Sequence, residues 1–157
     1  MLVNAEIVTS GPMSQWSNIA YTFHKAVTNA RKRIFIQTPY FLPTEGLFKA
    51  LQVAALAHVD VRLMLPETSD SRMLTYASAS YVDEALKAGI KIYFYQGGML
   101  HSKMMLVDDE FSSVGSTNFD FRSFEYNFEA NVVMYSVELN HKLAEIFKND
   151  LTKSCRV

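Results

Sequence analysis

A histidine, a lysine and an aspartate stand at set spacing in the segment His101-Ser102-Lys103-Met104-Met105-Leu106-Val107-Asp108. The apolar residues between Lys103 and Asp108 predict a buried strand. Because side chains alternate across a strand, His101 and Lys103 share one face and Asp108 takes the other. An imidazole and an ammonium projecting together, with no carboxylate or thiolate beside them, suit an anion and make a poor divalent-metal site. Further on, Gly115-Ser116-Thr117-Asn118 predicts a small-residue turn at the end of a short strand, Phe111 to Val114. There a hydroxyl, an amide and backbone N–H groups can approach a phosphate closely. Asn127, Glu129 and Asn131 alternate with Phe128, Ala130 and Val132. That reads as a strand with one polar and one buried face, its Glu129 looking into the same region as His101.

The elements that must position these residues follow from the rest of the chain. Its 157 residues make one domain, 1–157, with enough length for a single core. With 49% hydrophobic and 20% charged residues the composition is that of a globular protein. A formal charge of −1 offers nucleic acid or anionic lipid no general attraction, so anion binding has to be local. The single cysteine, Cys155, excludes an internal disulfide. No apolar run reaches the roughly 18 residues that cross a bilayer, and the chain itself is expected to be soluble.

Val3 to Thr9 predicts a strand stopped at Ser10-Gly11-Pro12. Apolar residues at helical spacing from Trp16 to Ala30 predict an amphipathic helix over Ser14 to Arg31, closed by basic Arg31-Lys32-Arg33 at the carbonyl end of its dipole. Arg33 to Thr38 predicts a buried strand leading into Pro39-Tyr40-Phe41-Leu42-Pro43, where two prolines argue against regular structure. Tyr40 and Phe41 then sit on a stiff loop after a strand end, and either plug the core or contact substrate. Thr44 caps a helix ending near His58, in a turn that suits a left-handed residue. A strand over Val59 to Leu65, a helix over Ser69 to Ala88 stopped by Gly89, and a strand over Ile90 to Tyr95 come next. Gly97-Gly98 leads to His101, and Val137 to Ser154 predicts the last helix. Strands alternating with helices, then adjacent strands after residue 100, give an α/β fold: a mixed β-sheet flanked by helices on both faces.

His101-x-Lys103-x4-Asp108, followed by Gly115-Ser116-x-Asn118 and Glu129, resembles the HKD signature of the phospholipase D superfamily. Together with Gln37-Thr38-Pro39-Tyr40-Phe41, Val59-Asp60-Val61-Arg62 and the run Asp120-x-Arg122-Ser123, it is most similar to the C-terminal half of bacterial cardiolipin synthases, from about Val8 to Leu151. The resemblance implies a phospholipase D-like fold and phosphatidyl transfer: two phosphatidylglycerols give cardiolipin and glycerol through a phosphohistidine. It implies a catalytic set of His101, Lys103, Asn118, Glu129 and Asp108, with His101 as nucleophile and Glu129 holding the Nδ1 proton. Lys103, Ser116 and Asn118 would hold the phosphate, and Tyr40 and Phe41 are candidates for the substrate loop. In the same reading Asp108 and the Asp120/Arg122 pair serve as structural partners that hold the loop. No cofactor and no metal are implied.

The superfamily uses two His-x-Lys motifs, and this sequence has one; His24, His58 and His141 have no lysine two residues on. The chain is therefore expected to be one half of a longer enzyme of the bacterial cell membrane, with the second HKD half and the membrane anchor lying outside residues 1–157. A homodimer mate could equally supply the second half. The expected partner is a phospholipid, phosphatidylglycerol, and not nucleic acid. Two rival readings stay open: a single-HKD homodimeric phosphodiesterase or nuclease, and a non-catalytic half-domain.

Overall fold

A computed structural model describes residues 3–68 and 72–157, with the backbone alone at 72–75. Strand β1 (Asn4–Ser10) leads to helix α1 (Asn18–Asn29), then β2 (Arg33–Gln37) and the two-residue β3 (Phe41–Leu42). Next come α2 (Glu45–Leu56), β4 (Asp60–Pro66), α3 (Arg72–Lys87) and β5 (Lys91–Tyr95). The second half holds β6 (Met104–Val107), β7 (Phe111–Gly115), β8 (Phe119–Asp120) and the short α4 (Phe121–Glu125). It finishes with β9 (Glu129–Tyr135), α5 (Val137–Leu151) and β10 (Ser154–Arg156).

Eight strands form one mixed sheet in the order β1-β9-β7-β6-β2-β4-β5-β10. The neighbours β2, β4 and β5 are parallel, and the remaining pairings are antiparallel. Two successive crossovers of one hand put α2 and α3 on the same face. There, with α1, they cover Ile34, Ile36, Val61, Leu63, Ile92 and Met105. The opposite face packs Phe35, Met64, Met104 and Leu106 against Ala144 and Phe147 of α5. Phe35 and Phe147 stack with ring centroids 4.8 Å apart. Helices on both faces of a mixed sheet are the expected architecture. Since α5 alone covers its face, Ile7, Val114 and Val132 on the outer strands stay exposed at 71%, 37% and 38%.

Several boundaries differ from the sequence expectation, each for a local reason. The first helix begins at Asn18, not Ser14, and Trp16 is exposed; Ile19, Phe23 and Val27 form its buried stripe. It ends at Asn29, and no basic residue lies in its last turn, so the basic run does not serve the dipole. Instead the backbone N–H groups of Arg31, Lys32 and Arg33 donate to the Asp108 carboxylate. The Pro39–Pro43 segment is not irregular throughout, because Phe41 and Leu42 pair in parallel with Phe119 and Asp120. The residues 154–156 form an edge strand on β5 in place of a final helical turn, and Cys155 lies on it. His58 adopts the left-handed conformation, φ 67°, at the end of α2. The expected start of the third helix at Ser69 lies outside the described residues, as do the side chains of Met73 and Leu74.

The alternation along β9 has the opposite phase to that expected. Asn131 and Val133 are buried, while Phe128 is 78% exposed and Val132 faces out. Asn131 can be buried because both ends of its amide are bonded: it donates to Ser113 Oγ at 3.0 Å and accepts from Thr117 Oγ1 at 2.6 Å. A satisfied polar side chain can occupy an interior position that pattern alone assigns to an apolar one.

Candidate active site

The site lies where β6 begins and β7 ends. Residues 101–103 precede β6 outside any regular element, and the N–H of Gly115 donates to the Lys103 carbonyl at 3.3 Å. Gly115 permits this approach. A Cβ there would strike the Ala130 carbonyl and the Asn131 amide oxygen of β9. The structure brings His101 and Lys103 together: Lys103 Nζ lies 3.1 Å from His101 Nδ1 and 3.4 Å from Nε2, and donates to the His101 carbonyl at 2.8 Å. His101 is exposed and opens onto a cleft.

Ser116 and Glu129 form the second part. The Ser116 hydroxyl donates to the Glu129 carboxylate and accepts from the Ala130 N–H at 3.1 Å. The Asn127 amide reaches the same carboxylate at 3.4 Å. Glu129 makes no hydrogen bond with the His101 ring, so the expectation that it holds the Nδ1 proton is corrected for this geometry. Its charge is felt by Lys103. Burial lowers the Lys103 ammonium below the ordinary lysine value, and the Glu129 carboxylate pulls it partly back. A partly desolvated ammonium beside an exposed imidazole leaves an electropositive point for an anion.

Asn118 follows in the turn between β7 and β8. Its neighbours Thr117 and Phe119 share a small cleft with Lys103 and Met104, which sets this turn against the Lys103 side. The Asn118 side-chain oxygen is buried without a hydrogen-bond partner among the described residues. That oxygen is an acceptor and cannot bind an anionic phosphate, so any grip from Asn118 has to come from its NH2 group.

Asp108 stands at the other end of β6, φ 50°, with its carboxylate engaged by the backbone of residues 31–33. It ties the α1–β2 connection to the β6–β7 turn and does not join His101. Asp120 is likewise structural: 1% exposed, it caps α4 by accepting from Ser123 N–H at 2.7 Å, and Arg122 touches it only at 3.9 Å.

Tyr40 and Phe41 separate. Phe41 is 1% exposed and stacks on Phe119, centroids 5.8 Å apart, within a cluster that includes Phe23, Phe48 and Phe124. It plugs the core, whereas Tyr40 lines the cleft beside His101. One contributor escapes sequence reasoning. The buried Thr38 hydroxyl accepts from Phe119 N–H at 3.1 Å and donates to the Tyr40 carbonyl at 3.0 Å, joining the Tyr40 loop to the strand after Asn118. A threonine before a proline at a strand end is the one signal for it, and that signal is weak.

Residues 23–151 match the family described as cardiolipin synthase, PLD-like domain. Cardiolipin synthase 2 of Bacillus cereus is 45% identical over 152 residues, 97% of this chain and 30% of that protein. The major cardiolipin synthase ClsA of Bacillus subtilis is 44% identical, again over 97% of this chain and 32% of its own length. The chain thus spans about a third of the length of the curated relatives it matches. Nuc of Salmonella typhimurium, a phospholipase D family member, superposes with a TM-score of 0.82 at 20% identity, over 99% of both chains.

Proposed function

The chain belongs to the PLD-like domain family of cardiolipin synthases, and from that premise we propose that it supplies one His-x-Lys half of a phosphatidyltransferase that makes cardiolipin from phosphatidylglycerol. The observation that carries this is the pairing of His101 with Lys103 at an open cleft. His101 Nε2 attacks phosphorus, the bond from phosphorus to the headgroup glycerol oxygen breaks, and glycerol leaves with a proton from an acid. The hydroxyl of a second phosphatidylglycerol then gives up its proton, attacks phosphorus and breaks the P–N bond, releasing cardiolipin. Splitting one hard displacement into two easier ones is the advantage of the covalent intermediate.

Lys103 and Asn118 donate to the non-bridging oxygens, where charge grows in the transition state; removing one such donor typically costs about 10² to 10³ in rate. Ser116 joins that grip only by turning its single proton from Glu129 to a phosphate oxygen, and Glu129 sets the charge around Lys103. Asp108 positions the strand and is not a catalytic residue. Tyr40 belongs to the substrate loop and Phe41 does not. The acid for the leaving alcohol comes from a second half, which the exposed apolar strip of Ile7, Val114 and Val132 is suited to meet. That half and the membrane anchor belong to the longer protein; among the described residues no helix is long and apolar enough to cross a membrane.

A second reading has two copies of this chain each supplying one half, as the one-to-one length match with Nuc allows. Labelled phosphatidylglycerol and a DNA oligonucleotide, offered to the protein expressed from its whole reading frame, as wild type and as His101→Ala, separate the possibilities. Cardiolipin formation that His101→Ala abolishes supports transfer. DNA cleavage without lipid turnover supports the phosphodiesterase, and silence on both supports a non-catalytic half.

A further inference from the structure

Beside His101 lies a cavity of about 490 Å³, bounded by Pro39, Tyr40, Pro66, Met99 and Leu100. Its volume falls within the range of about 300–1,000 Å³ common for small-molecule sites. His101 forms one wall, and none of the phosphate-gripping groups, Lys103, Ser116 or Asn118, lines it. Among the described residues that line it none is an aspartate, glutamate, lysine or arginine, and Thr68 adds a single hydroxyl. The imidazole therefore separates a polar grip from a largely apolar hollow.

The backbone builds this hollow. Gly98 has φ 116°, a conformation an L side chain rarely adopts, and reverses the chain after β5. That reversal leaves Met99 82% exposed at the rim and turns Leu100 inward to 7% exposure, where it packs with Met104 and Phe147. On the facing side, Thr38 holds the Tyr40 carbonyl, which fixes the loop that carries Pro39 and Tyr40.

In-line displacement decides which part of a lipid such a hollow takes. The leaving oxygen departs opposite the attacking nitrogen, so the headgroup glycerol lies on the far side of phosphorus from His101. The diacylglycerol oxygen is an equatorial substituent, stays on phosphorus through both steps, and can lie along the flank of the imidazole. Polyol headgroups need many hydrogen-bond partners, and these walls provide few. Ester-linked acyl chains do not.

We propose that the hollow between Tyr40, Pro66 and Met99 holds the glycerol backbone and first acyl methylenes of the phosphatidyl group carried on His101, with Met99 as the rim over which the chains leave. The inference rests on the phosphatidyl-transfer reading. An unbranched thioether side chain adapts to acyl chains of varied packing, and an anionic side chain at that rim would oppose them.

The test uses the protein expressed from its whole reading frame, with kcat/KM measured on dioleoyl and on dibutyryl phosphatidylglycerol. Each methylene lost from an apolar site is worth roughly tenfold or more in discrimination. Met99→Glu should therefore lower the dioleoyl-to-dibutyryl ratio at least about tenfold, and Met99→Leu should keep it within about twofold of wild type. A Met99→Glu protein in which both substrates fall together, or neither falls, overturns the inference, because damage to folding or to the reaction centre moves both alike. A wild type that turns over neither lipid refutes the transfer reading and this inference with it. Turnover of both lipids with an unchanged ratio in Met99→Glu refutes this inference alone.

Discussion

Replacing Asp108 should unfold the protein before it impairs the chemistry. The carboxylate accepts from Arg31 N–H at 3.0 Å, Lys32 N–H at 2.7 Å and Arg33 N–H at 3.1 Å. It does so from a left-handed backbone, φ 50°. Asp108 is partly buried, and water can replace part of this, so each of the three bonds contributes about 0.7–1 kcal/mol net. Alanine loses all three and also suffers the left-handed conformation, which costs an ordinary L residue about 1–2 kcal/mol. Asp108→Ala should thus destabilise by about 3–5 kcal/mol, with Asp108→Gly near 2–3 because glycine tolerates that conformation. Asp108→Asn, which keeps an acceptor oxygen and accepts left-handed geometry, should lose about 1–2 kcal/mol. At roughly 2–4 °C per kcal/mol for a chain of this size, alanine lowers Tm by about 6–20 °C and asparagine by about 2–8 °C. Thermal denaturation followed by circular dichroism gives the order, and turnover measured well below each Tm gives the chemistry. If Asp108→Asn keeps the wild-type Tm but loses about 10³ or more in kcat, the carboxylate acts on the reaction and the positioning role is wrong.

Lys103 carries a stability penalty that its function requires. Its folded pKa lies below the unfolded value of 10.5 through burial, so the penalty is complete below the folded pKa and fades as pH rises toward 10.5. Lys103→Met should accordingly raise Tm at pH 7, with the gain shrinking toward pH 10, while turnover falls about 10²-fold or more; a lower Tm at pH 7 contradicts the desolvation argument. At the end of α2, His58 holds φ 67° where glycine is unstrained. His58→Gly should stabilise by about 0.5–1 kcal/mol in chemical denaturation, because relief of a left-handed β-carbon exceeds glycine's entropic cost. A destabilised glycine variant would mean that the imidazole makes up the strain elsewhere.

Most of the architecture was legible because it rests on local rules. β2 reads as an apolar run between polar ends, β4 as an alternation that closes in Leu63-Met64-Leu65, and the crossover helices carry their stripes at three and four. His101 and Lys103 were found together because two residues apart in extended chain is a distance sequence can measure. What escaped depends on contacts between distant segments. The basic run at 31–33 reads as a helix terminus, yet its backbone serves Asp108, some 75 residues away. Asn131 reads as a surface residue until Ser113 and Thr117 satisfy its amide. Phe41 and Tyr40 are adjacent and chemically alike, and only the pairing of β3 with β8 sends one into the core and the other to the cleft. For Glu129 the strand face fixes the region but not the partner: it bonds Ser116 and not His101.

Trapping the covalent intermediate tests the central claim most directly. The protein from its whole reading frame is mixed with phosphatidylglycerol labelled in the phosphate, denatured within the first turnover at neutral to alkaline pH, digested and mapped by mass spectrometry. The label should sit on the peptide containing His101 as an acid-labile phosphatidyl adduct, and be missing from His101→Ala. A trapped adduct that persists in His101→Ala, or maps to another residue of the protein while His101 stays unmodified, would contradict the role assigned to this imidazole.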